Sequence, residues 1–359
     1  MTYLSSYRDS FPYTSATVRV DINEDANDIR SSRRVLHVKK TVQYLAQSCE
    51  KVYIIAHKGR PDPQNPQKGD SIASWADGLA ETWGVSLTFI PSTSFNEIEK
   101  KSEGKGVYLL ENIRLFPGEY ENSEELSEKI ASLANVYIND AFSNSHRIHA
   151  SMVGVGGHLP LIAGYGLEKE ITHLKGMQQY LSDTILILGG AKIAQKLSVA
   201  HKLLPSLRGV IIGGGPANTL LKAKGWDIRE SLCETYERSN ELVNSSKVYI
   251  PTDVVWDTDR IVDIGPETQE RYKALLCSTS HIMWNGPLGF LEKGYTEGTD
   301  SILSVINDTD IEGIIGGGET VSYIEGKILS DSIFLSTGGG ALLAYLSEGS
   351  LIALDVLSS

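Results

Sequence analysis

The sequence predicts an α/β protein built from two doubly wound parallel sheets, and three observations predict it. Short β-branched runs alternate with stretches of helical spacing along the whole chain. Glycine-rich turns stand at the exits of many of those runs. The 359 residues exceed the ~250–300 at which a single core stops growing, so two domains are expected.

In chain order, Ala16–Ile22 (ATVRVDI) reads as a buried strand that ends in Asp21-Ile22-Asn23. Asp28–Ser48 follows with Val35, Val38, Val42 and Leu45 on one helical face. Arg33 and Arg34 stand at its start, where a cation opposes the helix dipole. Taken alone they read as a solvated pair. Val52–Ala56 is the next strand, with His57-Lys58-Gly59-Arg60-Pro61 on its exit and a loop through Pro63, Pro66 and Gly69. Ser71–Trp83 reads as a helix, and Val85–Ile90 and Gly106–Glu111 as strands, the latter leaving Asn112 and Arg114 at its end. Asn122 with Glu125 resembles a capping box ahead of a helix striped by Leu126, Ile130 and Leu133. Val136–Ile138 is a further strand, followed by Asn139-Asp140-Ala141-Phe142 and His146-Arg147-Ile148-His149. In parallel sheets ligands bind outside the carboxyl ends of the strands. There this half places Asp21, Asn23, His57, Arg60, Arg114, Arg147 and His149. Each alone reads as surface decoration. Their shared position at successive strand exits points to a site for a small, multiply anionic molecule, since arginine forks match phosphate and carboxylate oxygens.

After Pro160–Gly166 a long helix is expected from Leu167 to Leu181, with Leu167, Ile171, Leu174 and Leu181 on one face. The expected division is residues 1–166, this helix at 167–181, a second domain at 182–340, and a last segment at 341–359. Asp183–Lys196 (DTILILGGAKIAQK) opens the second half as strand, glycine turn and helix carrying Lys192 and Lys196 one turn apart. Such a turn is an anion site, because the first helical N–H groups lack partners and the dipole adds to their pull. The unit recurs at Val210–Pro216, Val248–Asp253, Ile282–Gly289, Ile314–Thr320 and Ile333–Gly340. Glycine triplets at several exits suit a nucleotide lying across them, whereas one triplet alone would signify only a tight turn. No stretch is a P-loop, and none gives the dinucleotide fingerprint. Both halves are Rossmann-like in plan.

The net charge of −12 argues against general nucleic-acid or membrane-surface binding. Cys49, Cys233 and Cys277 form neither a metal-ligand spacing nor a disulfide framework, so a reducing compartment is expected. The start, MTYLSSYRDS, is no signal peptide, and no apolar run nears the ~20 residues needed to span a bilayer. A cytoplasmic protein is expected, and nothing demands an oligomer.

Together the motifs resemble the phosphoglycerate kinase family. VRVDIN, HKGRP, LLENIRLFPGE, YINDAFSNSHRIHAS, LILGGAKIAQK, IIGGGPANTLL, DIGP, WNGPLG, IIGGGET and STGGGA follow the family's segments in order over nearly the whole chain. The resemblance implies a phosphoglycerate site at Asp21, Asn23, Arg34, His57, Gly59, Arg60, Arg114, Arg147 and His149. It implies phosphate contacts from Lys192 and Lys196, and a nucleotide site completed by Gly190, Gly214, Gly215, Asn285, Pro287, Glu292, Gly317, Gly318, Glu319 and Thr320. Glu319 falls at the family's metal-contacting position, for Mg²⁺, and Arg34 and Lys192 would steady the moving phosphoryl group. The implied reaction is reversible transfer between 1,3-bisphosphoglycerate and ADP, giving 3-phosphoglycerate and ATP. The carboxylate acceptor is ionised at neutral pH, so no general base is needed. The resemblance also implies closure of two domains across a cleft, and a last segment returning to the first domain.

The sequence departs from the family at several positions. Glu319 replaces the usual aspartate, Gln195 another aspartate, Glu24-Asp25 a Val-Pro pair, Lys58 an apolar residue, and Ser143-Asn144 a Gly-Thr pair. Val254–Ile264 is shortened, and Ile261 falls where a glycine borders the adenine. These changes bear on nucleotide preference and rate and leave the arginine and lysine set intact. Gln195 and Glu319 motivate one alternative, a catalytically impaired nucleotide-binding homologue with a regulatory role. The other is an unrelated two-domain α/β enzyme, such as a nicotinamide-dependent dehydrogenase.

Overall fold

The computed structural model describes residues 1–7, 10–327 and 329–358. The chain divides into two compact units, Met1–Ile171 with Ser350–Ser359, and Thr172–Gly349.

The first unit holds β1 (Ser15–Val20), β2 (Lys51–Ile55), β3 (Leu87–Ile90), β4 (Gly106–Leu110), β5 (Val136–Asp140) and β6 (Leu161–Ala163). They form one sheet in the order β3-β4-β2-β1-β5-β6. Every neighbouring pair is parallel. Both faces are covered, so nearly all of β1, β2 and β5 is buried, as expected of parallel strands between helices. On one face the helix Arg33–Ser48 buries Val35, Val38, Val42 and Leu45 beside Trp75 and Trp83. Trp83 Nε1 donates to the Val35 carbonyl at 2.9 Å, which satisfies the one polar atom this large side chain brings inside.

Several boundaries differ from expectation. The helix expected from Asp28 begins at Arg33, because Ser32 caps it and Asp28–Ser32 forms turns instead. The helix expected from Ser71 begins at Ala76, after a 3-10 turn at Ala73–Trp75. The capping box of Asn122 and Glu125 does not form. Ser123 is the residue ahead of the helix Glu124–Ser132, and Asn122 lies one position earlier at φ +53°. Strand β6 and the helix Phe95–Lys101 have no counterpart in the sequence reading. Near the C-terminus the helix Ile352–Val356 joins the first unit. Ala353 donates its N–H to the Ser145 carbonyl at 3.1 Å and clusters with Ala141 and Met152, and Val356 fills the space a side chain would need at Gly156.

The second unit holds β7 (Thr184–Leu188), β8 (Gly209–Ile212), β9 (Val248–Tyr249), β10 (Val254–Asp257), β11 (Arg260–Ile264), β12 (His281–Asn285), β13 (Glu312–Gly316) and β14 (Ile333–Leu335). Six form a sheet in the order β14-β13-β12-β7-β8-β9, with parallel neighbours. β10 and β11 make a separate antiparallel hairpin that the sequence reading left without strands. Its register shifts between Val255 and Trp256, which breaks the alternation that would have marked it. The helix expected over Leu167–Leu181 runs Tyr165–Gln178, and Leu181–Asp183 is a 3-10 turn. The helix Gly339–Glu348 stays with the second unit.

Candidate functional site

The exits of β1, β2, β4 and β5 converge on buried charge. Asp21, His57, Arg114 and His149 are all buried just beyond these strands. Burial pushes the Asp21 carboxyl up, but Arg34, the Ser143 hydroxyl and Arg19 outweigh it and hold it below the usual carboxylate range. Arg34 Nη1 lies 3.7 Å from Asp21 Oδ2, and its Nε lies 3.6 Å from Glu24 Oε1. Two of the departures from the family pattern are therefore engaged here: Ser143 donates to Asp21, and Glu24 faces Arg34. Burial, then Arg19, drives the His57 imidazole well below its ordinary pKa, so the ring is neutral at neutral pH. The 3.7 Å approach of His57 Nδ1 to Asp21 Oδ1 is thus a carboxylate beside an uncharged ring, not an ion pair.

Gly59 and Asn23 close the rim. Gly59 has φ +59°, its N–H donates to Asn23 Oδ1 at 2.8 Å, and its carbonyl accepts from Arg114 Nη1. Burial lowers the Arg114 pKa to about 10, with Arg19 and Arg147 adding to the effect. Arg147 is lowered by burial and then by Arg60. The buried Nε atoms of Arg114 and Arg147 have no hydrogen-bond partner. Cations gathered this closely are relieved by an opposite charge, so the cluster favours an anionic ligand.

The sequence reading missed Arg19, Glu119 and Ser151. Arg19 is fully buried in β1, and Glu119 and Ser151 lie beneath His149. A lone arginine in the apolar run ATVRVDI was the available signal.

In the second unit a cavity of about 360 Å³ opens between the exits of β7, β8 and β12 and the hairpin. That volume suits a nucleotide-sized ligand. Gly190, Gly214, Gly215, Pro287, Glu292 and Glu319 line it together with Leu232, Val254, Ile261, Ile264, Leu288 and Phe290. Of this apolar wall only Ile261 is named by the sequence reading as bordering the nucleotide. The glycine turns first serve one another. Gly190 N–H donates to Pro287 O at 2.6 Å and Gly215 N–H to Gly190 O at 3.0 Å, and a Cβ on Gly214 would lie 2.5 Å from Gly190 N. Asp263 is part of the lining, accepting from Gly298 N at 2.9 Å and Ile264 N at 2.8 Å, and burial raises its pKa to about 6.

The two lysines are not a pair on one helical face. Lys192 precedes the helix Ile193–Leu203 with φ +59° and is exposed, whereas Lys196 is buried and donates Nζ to Gly189 O. Burial lowers Lys196 to about 8, against the pull of Glu319. The expected anion site at this helix start is partly filled by the chain itself, since Ala194 N–H donates to Glu234 Oε2 at 3.0 Å. Asn285 is buried and donates to Gly339 O at 3.1 Å, with Gly317 over it at φ +102°. Gly318 and Glu319 begin the helix Gly318–Ile324, and Thr320 is buried behind them. Lys192, Lys196, Asn285, Gly317, Gly318 and Thr320 do not line the cavity.

Two α/β domains, one gathering arginines at its strand exits and the other holding a nucleotide-sized hollow, point to the class, a phosphotransferase. Known proteins narrow it. The family profile described as phosphoglycerate kinase matches residues 11–349. The phosphoglycerate kinase of Helicobacter hepaticus is 33% identical over 376 residues, covering 95% of this chain and 93% of that one. That of Roseiflexus sp. (strain RS-1) is 33% identical over 372 residues, covering 94% of each. The crystal structure of the Pyrococcus horikoshii OT3 enzyme superposes with a TM-score of 0.85 at 27% identity, covering 100% of this chain and 98% of that one. The Coxiella burnetii structure gives 0.77 at 28% identity, covering 96% of each. The chain belongs to the phosphoglycerate kinase family. It is an enzyme, a phosphotransferase with a carboxyl group as acceptor; nothing favours the impaired homologue, and the dehydrogenase alternative falls. Among the described residues no helix is long and apolar enough to cross a membrane.

Proposed function

We propose that this chain transfers a phosphoryl group reversibly between 1,3-bisphosphoglycerate and ADP, with the phosphoglycerate on the arginine cluster and the nucleotide in the glycine-walled cavity. The observation that supports the assignment of sites is the gathering of Arg60, Arg114 and Arg147, where Arg147 lowers the Arg114 pKa and Arg60 that of Arg147. An anionic ligand supplies the opposite charge. Asp21, Asn23, Arg34, His57, Gly59 and His149 complete that site in this reading.

Transfer to or from a carboxylate asks little covalent chemistry of the protein, so positioning and charge neutralisation do most of the work. Arg34 and Lys192 would hold the oxygens of the transferring group, and Lys196 the nucleotide phosphates. Glu319 fits Mg²⁺, because that ion typically takes one or two carboxylates and completes its shell with substrate phosphates and water. Glu319 lines the cavity and stands near enough to Lys196 to raise its pKa, so its carboxylate is within reach of phosphates that lysine would hold. Bound there, the ion would neutralise phosphate charge. The reading includes a cytoplasmic monomer acting on small molecules, and the three free cysteines are consistent with a reducing compartment.

The test is a coupled assay for ATP formed from ADP and 1,3-bisphosphoglycerate, repeated with other nucleoside diphosphates. Purified protein that binds nucleotide yet shows no turnover would overturn the proposal.

A further inference from the structure

His57 and His149 are joined underneath the arginine cluster by a chain of buried groups. Arg19 Nη2 lies 3.2 Å from His57 Nδ1, and Arg19 Nε donates to Ser151 Oγ at 3.1 Å. Ser151 Oγ donates to Glu119 Oε1 at 2.6 Å, and Ser151 N–H to Glu119 Oε2 at 3.0 Å. Glu119 Oε1 lies 3.5 Å from His149 Nδ1. Arg19, Glu119 and Ser151 are fully buried, and Tyr137 anchors the Ser151 carbonyl through a 2.6 Å hydrogen bond.

The donor and acceptor inventory fixes where the protons sit. A guanidinium only donates, so the His57 nitrogen facing Arg19 offers its lone pair and the ring proton is on Nε2. Asp21 Oδ1, 3.7 Å from the same nitrogen, has no hydrogen-bond partner, which agrees with an unprotonated Nδ1. At 3.5 Å from Glu119 Oε1 the His149 Nδ1 makes no hydrogen bond, but the carboxylate it faces only accepts, so a proton on that nitrogen is the form Glu119 favours. The two ends of one chain therefore favour opposite senses for the two rings.

We propose that Glu119 is a positioning residue, acting with Ser151 and Arg19 to hold His57 as an Nε2–H donor toward the phosphoglycerate and His149 with its proton on Nδ1. This rests on the reading of the cluster as the phosphoglycerate site. Glu119 also balances Arg19, so that a buried cation can stand beneath His57 without an anion from solution. Ser151 carries the coupling, since its hydroxyl accepts from Arg19 and donates to Glu119.

Nitrogen-15 spectra of the ligand-free protein test the arrangement directly, because a protonated and an unprotonated ring nitrogen have well-separated shifts. The wild type is expected to show a neutral His57 protonated at Nε2 and a His149 protonated at Nδ1. Glu119→Gln offers one acceptor oxygen where the two Ser151 donors and His149 need two. It is expected to shift the His149 signals and to raise KM for 3-phosphoglycerate about tenfold, with a smaller change in kcat and an unchanged KM for ATP. Ser151→Ala is expected to leave the His149 proton in place and disturb His57. A wild-type His57 protonated at Nδ1 would overturn the proposal whether or not either variant folds. So would a folded Glu119→Gln enzyme with unaltered His149 signals and an unaltered KM. Calorimetry with 3-phosphoglycerate separates the two levels: a wild type that does not bind it refutes the site reading and leaves the nitrogen result to stand or fall alone.

Discussion

The two units share a parallel-sheet plan and treat their sites in opposite ways. The first builds with long charged side chains under the surface: Arg19, Arg114, His57 and Asp21 are each at most 5% exposed. The second builds with backbone and apolar wall, bringing three glycine turns within hydrogen-bond distance and keeping the buried Lys196 on a carbonyl. Buried charge is costly unless paired, so the first unit carries its own carboxylates, Asp21 and Glu119, to hold the arginines in place. A glycine turn has no such cost, but it tolerates no added atom. The first site should therefore fail through lost charge and the second through lost space.

Four changes sharpen that contrast, from the largest expected effect to the smallest. Arg34→Ala removes a donor proposed to act on the transferring group. Turnover is expected to fall ~10²–10³-fold with the thermal midpoint nearly kept, as measured by the coupled assay and a melt. Near-normal turnover would remove Arg34 from the mechanism. Gly214→Ala adds one methyl at φ +53° against Gly190 N. It is expected to cost ~1–3 kcal/mol and to weaken ADP binding, while calorimetric affinity for 3-phosphoglycerate stays put. Equal loss of both ligands would break the comparison.

The third change is pH. Lys196 titrates near 8 instead of 10.5, so KM for ADP should climb as pH rises through 8 and the charge is lost. Stability should move the other way. The folded state disfavours the charged form, and that penalty is relieved as pH rises from about 8 toward 10.5. Lys196→Met should abolish both trends. The smallest effect concerns Asp140, which accepts from Leu167 N–H at 2.6 Å and whose pKa burial raises to about 6. The stability linked to its protonation is present below its ordinary 3.8 and lost as pH rises through about 6. Asp140→Asn should raise the melting temperature by about 2–4 °C at pH values above that titration and leave it unchanged below. A gain of the same size on both sides would assign the effect to something other than the charge.

Most strands were legible because parallel sheets covered on both faces need continuous apolar runs, such as Ile185–Leu188. The same coverage hid Arg19. A charged residue within a strand reads as its solvent-facing alternate, yet neither face of this sheet meets solvent at that position. β6 is three residues long, too short to show a period, and the bulge in β10–β11 erases the one that hairpin had. The lysines were misplaced because the sequence does not tell where a helix begins after a glycine turn. Here Lys192 takes a left-handed conformation and the helix starts one residue later. Glu119 and Ser151 close two of the family segments but carry no role by themselves, since each acquires one only where distant strand exits meet.

The first unit is discontinuous in sequence, and that bears on synthesis. Residues 172–349 intervene between its main body and the helix Ile352–Val356 that seats Ala353 on Ser145 and Val356 against Gly156. On a ribosome the intervening unit is translated in full before this helix emerges, so it can reach its native contacts first. The arginine-bearing half must wait with an uncovered apolar seam at Ala141 and Met152 until the final helix arrives.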